Sequence, residues 1–292
     1  MTRPFDDIRA LFDQFPAKAP VTAGDVTLGE LGPIAAWIIQ WRGEARLSRP
    51  ILCLYAAAHA GGDTAPTRAQ MEAIAAGDAA INRGLHHLGA GLDVFDLALE
   101  RPVADSALGA AMSERECAAT MAFGMEALAK QPDLLILMGV GPGADQAAAD
   151  LAEALAGSAA CNAKAGGETG AVARALAEAG DDPLELLRQL GGRETAALAG
   201  ALLAARIQGV PVMLDGAPAM AAAALVHAID PEATTHCRIA HAPHTAAGRN
   251  LAARLGRGPL LGLQLGLDDG TAALAALSVV KLAVAIAAGA KT

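Results

Sequence analysis

Aromatic residues are scarce in this chain. Of its 292 residues only 3% are aromatic, with two Trp, one Tyr and five Phe. Hydrophobic residues still make up 53%, so the core has to be built mainly from Ala, Leu, Val and Ile. The length allows one large α/β domain, or one domain with a small appendage.

Cysteine is scarce as well, and its spacing is informative. Cys53, Cys117, Cys161 and Cys237 lie far apart and form no C-x-x-C pair. This pattern favours reduced thiols in a cytosolic protein over a disulfide framework. The first residues, MTRPFDDIRALFDQF, are acidic and amphipathic, unlike a secretory signal peptide. We therefore predict a cytoplasmic protein.

The chain also lacks a long basic run and a metal-ligand spacing. Its formal net charge is −9, which argues against a nucleic-acid-binding surface. Its seven histidines follow no spacing such as H-x-x-x-H. We predict no nucleic-acid partner, no metal site and no resident cofactor. A small anion would have to be bound by backbone N–H groups and single basic side chains.

One apolar stretch is long enough to be weighed as a membrane span. Residues 271–290 are rich in Ala, but Lys281 lies in their middle. A lysine at the centre of a span costs about 2.5–3.5 kcal/mol on insertion scales. We therefore predict a buried carboxyl-terminal helix and no membrane partner.

Short apolar runs alternate with long Ala- and Leu-rich stretches. The predicted strands are 50–57, 92–99, 133–140, 210–216, 236–242 and 259–266. Several are continuously apolar, as is typical of strands buried on both faces of a parallel sheet. The predicted helices between them include 68–88, 113–130 and 183–208. This order predicts a mostly parallel, doubly wound α/β sheet.

The two ends of the chain differ from its middle. Residues 1–45 and 271–292 have helical patterns, which predicts one small helical domain built from both ends beside an α/β domain of residues 46–270. The segment 156–170 is small and polar. It is predicted to be a loop near the carboxyl edge of the sheet, where such folds bind ligands.

The stretch LMGVGPGADQAAADL contains a candidate phosphate-binding turn. An apolar strand runs into Gly139, Gly141 and Gly143, and an Ala-rich helix follows. Glycines permit a close backbone approach, and the helix N-terminus offers N–H groups to an anion. Neither G-K-[ST] nor G-x-G-x-x-G is present, so a purely structural turn remains an alternative.

Further candidates follow predicted strands or precede predicted helices. Gly191 and Gly192 stand before a long helix, and a strand ends at Asp215-Gly216. Parallel strands place such ends at one edge of the sheet. We therefore predict that these residues lie at the ligand edge.

Two carboxylates and three histidines complete the candidates. Asp268 and Asp269 precede the last helix, where they are either N-caps or the source of a general base. His59, His241 and His244 follow predicted strands, so we expect them to line the ligand edge.

Three long stretches carry a resemblance to a known family. They are GDAAINRGLHHLGAGLDVFDLAL, AAMSERECAATMAFGMEAL and DPLELLRQLGGRETAALAGALLAA followed by PVMLDG. From about Leu28 onward the chain resembles nicotinate-nucleotide–dimethylbenzimidazole phosphoribosyltransferases of cobalamin lower-ligand synthesis. The resemblance implies a parallel α/β domain with a small helical domain, a homodimer, and nicotinate mononucleotide and a benzimidazole base as partners. It also implies transfer of phosphoribose to the base with inversion at the anomeric carbon.

The resemblance also assigns roles to residues. Asp269 aligns with the glutamate of the family's L-G-E-G-[ST]-G and would be the general base, one methylene shorter. Gln70 and His59 match base-pocket positions. The residues implied to bind the nucleotide and its phosphate are Gly141, Gly143, Gly191, Gly192, Asp215, Gly216 and His241.

Several family positions carry other residues here. Gly139 and Thr245 stand where the family has glutamates, and Asp145 falls within its N-T-T. Two alternatives therefore stay open. One is a non-catalytic relative that binds a nucleotide or base, or that is the inactive partner of a complete family member. The other is an unrelated activity that uses His59, His241 and Asp215.

Overall fold

A six-stranded parallel sheet forms the centre of the protein. The computed structural model describes residues 3–17, 28–157, 170–265 and 269–289. The strands are β1 Pro50–Ala56, β2 Gly91–Asp96, β3 Leu134–Val140, β4 Val212–Asp215, β5 Cys237–His241 and β6 Pro259–Leu261. Their order is β2-β1-β3-β4-β5-β6, and all neighbours are parallel. The predicted α/β sheet is confirmed. Strand β3 ends at Val140 as predicted, and the other five strands end earlier than predicted.

Helices connect the strands and cover both faces of the sheet. They are α1 Pro4–Arg9, α2 Leu31–Arg42, α3 Ala65–Ala76, α4 Ala80–Leu88, α5 Glu114–Gly124, α6 Ala144–Ala156, α7 Gly170–Ala179, α8 Pro183–Leu190, α9 Arg193–Gln208, α10 Gly216–Ile229, α11 Ala246–Leu255 and α12 Thr271–Gly289. Shorter 3₁₀ turns lie at Phe12–Gln14, Met125–Leu128 and Pro231–Thr234.

Two predicted helices are each divided into two. The predicted helix 68–88 is broken after α3, because Gly77 has a left-handed φ of 81° that ends the helix. The predicted helix 183–208 is broken between α8 and α9, where Gly191 and Gly192 are extended. The predicted start at residue 113 is confirmed, since Ser113 caps α5 by accepting a hydrogen bond from the Glu116 N–H at 3.1 Å.

Successive side chains of the buried strands belong alternately to two apolar clusters. Along β1, Cys53 and Tyr55 belong to the cluster with α5, α6, α9 and α10, whereas Leu52 and Leu54 belong to the cluster with α2 and α12. Helix α1 packs on α5, and α2 packs on α12. A separate helical domain of residues 1–45 and 271–292 stays a prediction. The predicted loop 156–170 lies mostly outside the described residues.

Helix α12 is the apolar carboxyl-terminal helix. It is long and apolar enough to cross a membrane, but the buried core helix of a soluble protein meets the same criteria of length and composition. Ala276, Leu277 and Val280 are fully buried in the cluster with α2 and the sheet. Lys281 donates a hydrogen bond to the carbonyl of Leu88 at the end of α4. The predicted burial of this helix is confirmed for these residues.

Small residues let α5 and α9 touch at backbone distance. A Cβ on Gly200 of α9 would overlap the carbonyl oxygen of Met121 in α5, and a Cβ on Gly124 would overlap that of Ala197. With few aromatic side chains in the core, these two helices pack with their backbones in contact. Any side chain at these two glycines has to push the helices apart.

We expect Gly200→Ala to lower the free energy of unfolding by about 1–3 kcal/mol, because an overpacked core has to shift its backbone. In an open helix the same change would stabilise by about 1 kcal/mol. Thermal unfolding followed by circular dichroism measures the loss. Gly258→Ala is a control for the loss of a glycine without crowding, since Gly258 lies outside the helices and a Cβ there meets nothing within 4 Å. Equal Tm values for the two variants would contradict the packing argument.

Candidate active site

The winding of the sheet reverses between β1 and β3, and open clefts lie at the carboxyl ends of the strands nearby. In parallel sheets this is where ligands bind. Cleft A has a volume of about 320 Å³. Its lining residues are Asp63, Pro66, Thr67, Gln70, Met138, Gly139, Val140, Gly141, Pro142, Ala144, Asp145, Asp215, Gly216 and Pro218.

Cleft B adjoins cleft A. Both are lined by Asp145, Asp215 and Gly216. The other residues that line cleft B are Ala217, Met220, His241, Ala242, Pro243, His244, Thr245, Leu265 and Ala272. The two clefts therefore form a continuous opening from the end of β3 to the end of β5.

The turn Gly141–Gly143 forms one wall of cleft A and requires its glycines. Gly141 has φ 142° and Gly143 has φ 87°, values that L side chains rarely adopt. A Cβ on Gly141 would overlap the carbonyl oxygen of Ala57, and one on Gly143 would lie 2.6 Å from His59 Cβ. The turn thus packs directly on the chain that leaves β1, and Gly143 is the N-cap of α6.

Behind this turn lies a buried ion pair. His59 Nε2 is 3.1 Å from Glu194 Oε1, with the His59 side chain 15% and the Glu194 side chain 0% exposed. Thr195 donates a hydrogen bond to the same carboxylate oxygen at 3.1 Å. Gly192 makes room for the pair, because a Cβ there would overlap both Glu194 Oε2 and the His59 ring.

The partners stabilise each other's charge. Burial by itself would lower the pKa of His59, but the charge of Glu194 and its hydrogen bond raise that pKa above the ordinary value. Burial would likewise raise the pKa of Glu194, yet the charge and hydrogen bond of His59 hold it below the ordinary value. His59 and Glu194 are therefore an imidazolium and a carboxylate at mildly acid pH.

His241 holds the floor of cleft B through both ring nitrogens. Nε2 accepts a hydrogen bond from the Leu263 N–H at 2.9 Å, so Nδ1 carries the proton and donates it to the carbonyl of Ala242 at 3.0 Å. This joins β5 to the segment after β6. Because both ring nitrogens are already hydrogen-bonded, the His241 ring lines cleft B but does not donate a hydrogen bond to a ligand.

Asp269 precedes the last helix. It lines neither cleft itself, but Ala272, three residues further on, lines cleft B. The Asp269 Oδ1 accepts hydrogen bonds from the Thr271 N–H at 3.0 Å and from the Thr271 hydroxyl. Asp269 thus makes a capping hydrogen bond to the first residue of α12, although the N-cap position itself is Gly270, whose carbonyl accepts from the Leu274 N–H. A Cβ on the next residue, Gly270, would lie 3.4 Å from Met138 Sδ, which lines cleft A. The role of Asp269 as a general base stays a prediction, and Asp268 lies outside the described residues.

The structure brings together most of the predicted ligand residues. Gly141, Gly143, Asp215, Gly216, Gln70 and His241 line the clefts or form the turn beside them. Gly191 and Gly192 are buried and pack against Leu187 and the ion pair, and neither lines a cleft. Their nucleotide-binding role stays a prediction, as does that of His59 in binding the base.

The structure shows the surroundings of the three positions that depart from the family pattern, Gly139, Asp145 and Thr245. Gly139 lines cleft A, and a Cβ there would lie 2.9 Å from Leu198 Cδ1, 3.0 Å from Pro218 Cβ and 3.3 Å from Glu194 Cγ, so no side chain fits at position 139 without a shift of its neighbours. Thr245 caps α11 by accepting a hydrogen bond from the Gly248 N–H at 3.0 Å. Asp145 lies on the lining of both clefts.

The cleft walls are acidic. Asp63, Asp145 and Asp215 line cleft A, and among the described residues no lysine or arginine lines either cleft. An anionic ligand would therefore depend on backbone N–H groups at the starts of α6 and α10.

Sequence reasoning did not identify Glu194 as a site residue. Its partner His59 is 135 positions away in the chain, and no local pattern marks a pair of that separation. The one available signal was an acidic residue two positions after Gly192 in LGGRET, at the start of an Ala- and Leu-rich helix.

Comparison with known proteins places the chain in a family. A family model described as phosphoribosyltransferase matches residues 18–292. Nicotinate-nucleotide–dimethylbenzimidazole phosphoribosyltransferase of Brucella canis is 42% identical, over 96% of this chain and 93% of that protein. The enzyme of the same name from Rhizobium leguminosarum is 42% identical, over 99% and 95%.

A solved structure agrees with these relatives. The crystal structure of the phosphoribosyltransferase of this name from Thermus thermophilus superposes with a TM-score of 0.77 at 28% identity, covering 97% of this chain and 95% of that one. The chain belongs to the nicotinate-nucleotide–dimethylbenzimidazole phosphoribosyltransferase family.

Proposed function

We propose that this chain transfers phosphoribose from nicotinate mononucleotide to 5,6-dimethylbenzimidazole, which gives nicotinate and α-ribazole phosphate for cobalamin synthesis. One observation carries the proposal: two adjoining clefts at the switch point of the sheet share Asp145, Asp215 and Gly216. Two adjoining clefts provide neighbouring sites for a nucleotide and a base. The family membership supplies the reaction.

The reaction needs alignment more than activation. The pyridinium of the donor is already a good leaving group, so the base nitrogen attacks C1′ while the bond from C1′ to nicotinate breaks. A carboxylate must then accept the N–H proton of the benzimidazole. Asp269, beside the clefts, supplies that base, and Gln70 in cleft A contacts the acceptor base. Holding both reactants at the reacting distance supplies much of the rate.

The nucleotide phosphate is bound by backbone N–H groups at the turn Gly141–Gly143 and the start of α6. The positive end of the helix dipole favours an anion there. Asp145 lies in the first turn of α6, so its carboxylate weakens this binding. We therefore expect a higher KM for nicotinate mononucleotide than an uncharged residue at position 145 would give.

The proposal is tested by mixing the purified chain with both substrates and separating the products by chromatography. The expected result is α-ribazole phosphate and nicotinate in equal amounts, formed only when both substrates are present. Nicotinate release without a base would indicate hydrolysis instead. No product with enzyme in excess would contradict the proposal.

A non-catalytic relative is the second candidate, and the acidic lining of both clefts favours it. Such a protein would bind a nucleotide or base without turnover, or would be the inactive partner of a complete family member. For the catalytic enzyme of the first proposal, we propose a homodimer in the cytoplasm. Sedimentation of the purified chain alone, and then with a complete family member, separates the two assemblies.

A further inference from the structure

We propose that Glu194 is a positioning residue for the donor: its buried carboxylate holds His59, and His59 holds the turn Gly141–Gly143 in the shape that binds the nucleotide phosphate. This inference rests on the proposed function for the identity of the donor. It concerns a residue that does not line either cleft.

The first step is the contact between His59 and the turn. The His59 N–H donates to the carbonyl of Pro142 at 3.1 Å, and the Ala57 N–H donates to the carbonyl of Val140 at the same distance. Gly143 lies against His59, since a Cβ on Gly143 would be 3.0 Å from the Cγ of its ring. A displacement of His59 is therefore transmitted directly to the turn.

The second step is the contact between His59 and Glu194. The imidazole is fixed by its 3.1 Å contact with Glu194 Oε1. The carboxylate itself cannot move freely, because it is fully buried and accepts a hydrogen bond from Thr195. Its other oxygen, Oε2, has no hydrogen-bond partner in the described part of the chain. Burial of a charged group with one oxygen unsatisfied is costly, which points to a role beyond packing.

The third step is the space around the pair. Gly192 lies over Glu194 Oε2 and His59 Nε2, and position 139 faces Glu194 Cγ. Gly139 itself lines cleft A. The carboxylate thus stands in the layer directly behind the cleft wall. Gln70, which contacts the acceptor base in the proposed function, lines the same cleft but lies on α3. A change at Glu194 therefore acts first on the turn that binds the donor.

The charged groups that act on His59 come from two helices besides its own segment. Glu194 and Arg193 lie at the start of α9, and Asp150 lies in α6. Arg193 opposes the imidazolium, whereas Asp150 and Glu194 favour it. Burial of the ring lowers the pKa of His59 most strongly, and Arg193 lowers it further. Without the charge of Glu194 only Asp150 opposes these two effects, so His59 loses its proton at a lower pH.

The test measures binding, so that it is independent of turnover. Isothermal calorimetry gives the Kd of nicotinate mononucleotide and of dimethylbenzimidazole for the full chain, for Glu194→Gln and for Glu126→Gln. Glu126 is an exposed carboxylate of the turn Met125–Leu128, so its change is the matched loss of one negative charge.

The expected result for Glu194→Gln is a weaker Kd for the mononucleotide by about tenfold to a hundredfold, the scale of a displacement near 1 Å. The Kd of the base and both constants of Glu126→Gln stay unchanged. The weakening is larger at pH 6 than at pH 8.5, because the ion pair requires a protonated His59. Equal weakening at both pH values would indicate a merely structural residue and would overturn the proposal.

A double-mutant cycle separates a role through His59 from a general loosening. In a His59→Gln background, Glu194→Gln is expected to change the Kd by less than about twofold, since coupled residues are not additive. Additive effects would overturn the proposal, as would an unchanged Kd in the single variant. A wild-type chain that binds the mononucleotide without turnover contradicts the proposed function and leaves this inference standing. A wild-type chain that does not bind it overturns both.

Discussion

Asp269→Asn is expected to lower kcat by about 10²–10⁴-fold while leaving Tm unchanged. The rate falls because an amide cannot accept the benzimidazole proton, and a positioned general base contributes a factor of that size. The fold survives because asparagine accepts capping hydrogen bonds as well as aspartate does. Its side-chain oxygen can still accept the two hydrogen bonds that Thr271 donates to Oδ1. Initial rates at saturating substrates and a thermal melt measure the two effects.

The control for this variant is Asp230→Asn. Asp230 caps the turn Pro231–Thr234 by accepting from an N–H two residues ahead, at 2.9 Å, the same geometry as at Asp269. We expect this change to leave both kcat and Tm as they are. Full activity of Asp269→Asn would show that the carboxylate is a cap alone. Asp269→Glu, which restores the family's longer side chain, is expected to retain activity.

Glu194→Gln is expected to lower the free energy of unfolding at pH 6 by about 3 kcal/mol, the lower end of the loss when a buried ion pair is broken. The variant keeps the size of the side chain and can still accept a hydrogen bond from His59. What it removes is the negative charge that compensates a buried imidazolium. Urea unfolding followed by circular dichroism measures the difference, with Glu126→Gln as the control.

The sign of the pH dependence follows from the two shifts. The raised pKa of His59 contributes stability that is fully present below its ordinary value of 6.5 and is lost as pH rises through the raised value. The lowered pKa of Glu194 contributes stability above its ordinary value of 4.5 that is lost as pH falls through the lowered value. The destabilisation by Glu194→Gln is therefore largest between these ordinary values and smaller at pH 8.5. A difference that does not change with pH would contradict the ion pair.

The strands and the ligand edge could be predicted from the sequence, because both depend on local patterns. Continuous apolar runs such as LLILM in β3 are typical of a parallel sheet that is buried on both faces. Their carboxyl ends meet at one edge, which brought Gly141, Asp215 and His241 to the clefts. The capping bond of Asp269 could also be predicted, since aspartate is among the residues preferred just before a helix.

The helix breaks and the ion pair could not be predicted in the same way. Gly77 interrupts a stretch whose apolar spacing continues on its far side, so periodicity alone joins α3 to α4. The contact of His59 with Glu194 depends on how α9 packs behind the turn. The protonated nitrogen of His241 is set by two backbone groups, one of them on the segment after β6. Such long-range contacts have no local signature.

The central claim is that the chain is catalytic despite Gly139, Asp145 and Thr245 at positions where the family carries other residues. Single-turnover release of nicotinate tests it most directly, with enzyme in excess over nicotinate mononucleotide and with or without dimethylbenzimidazole. The account predicts complete release that requires the base, and a rate that drops by about 10²–10⁴-fold in Asp269→Asn. Nucleotide that stays bound and intact in the presence of the base would contradict it and would identify a non-catalytic member of the family.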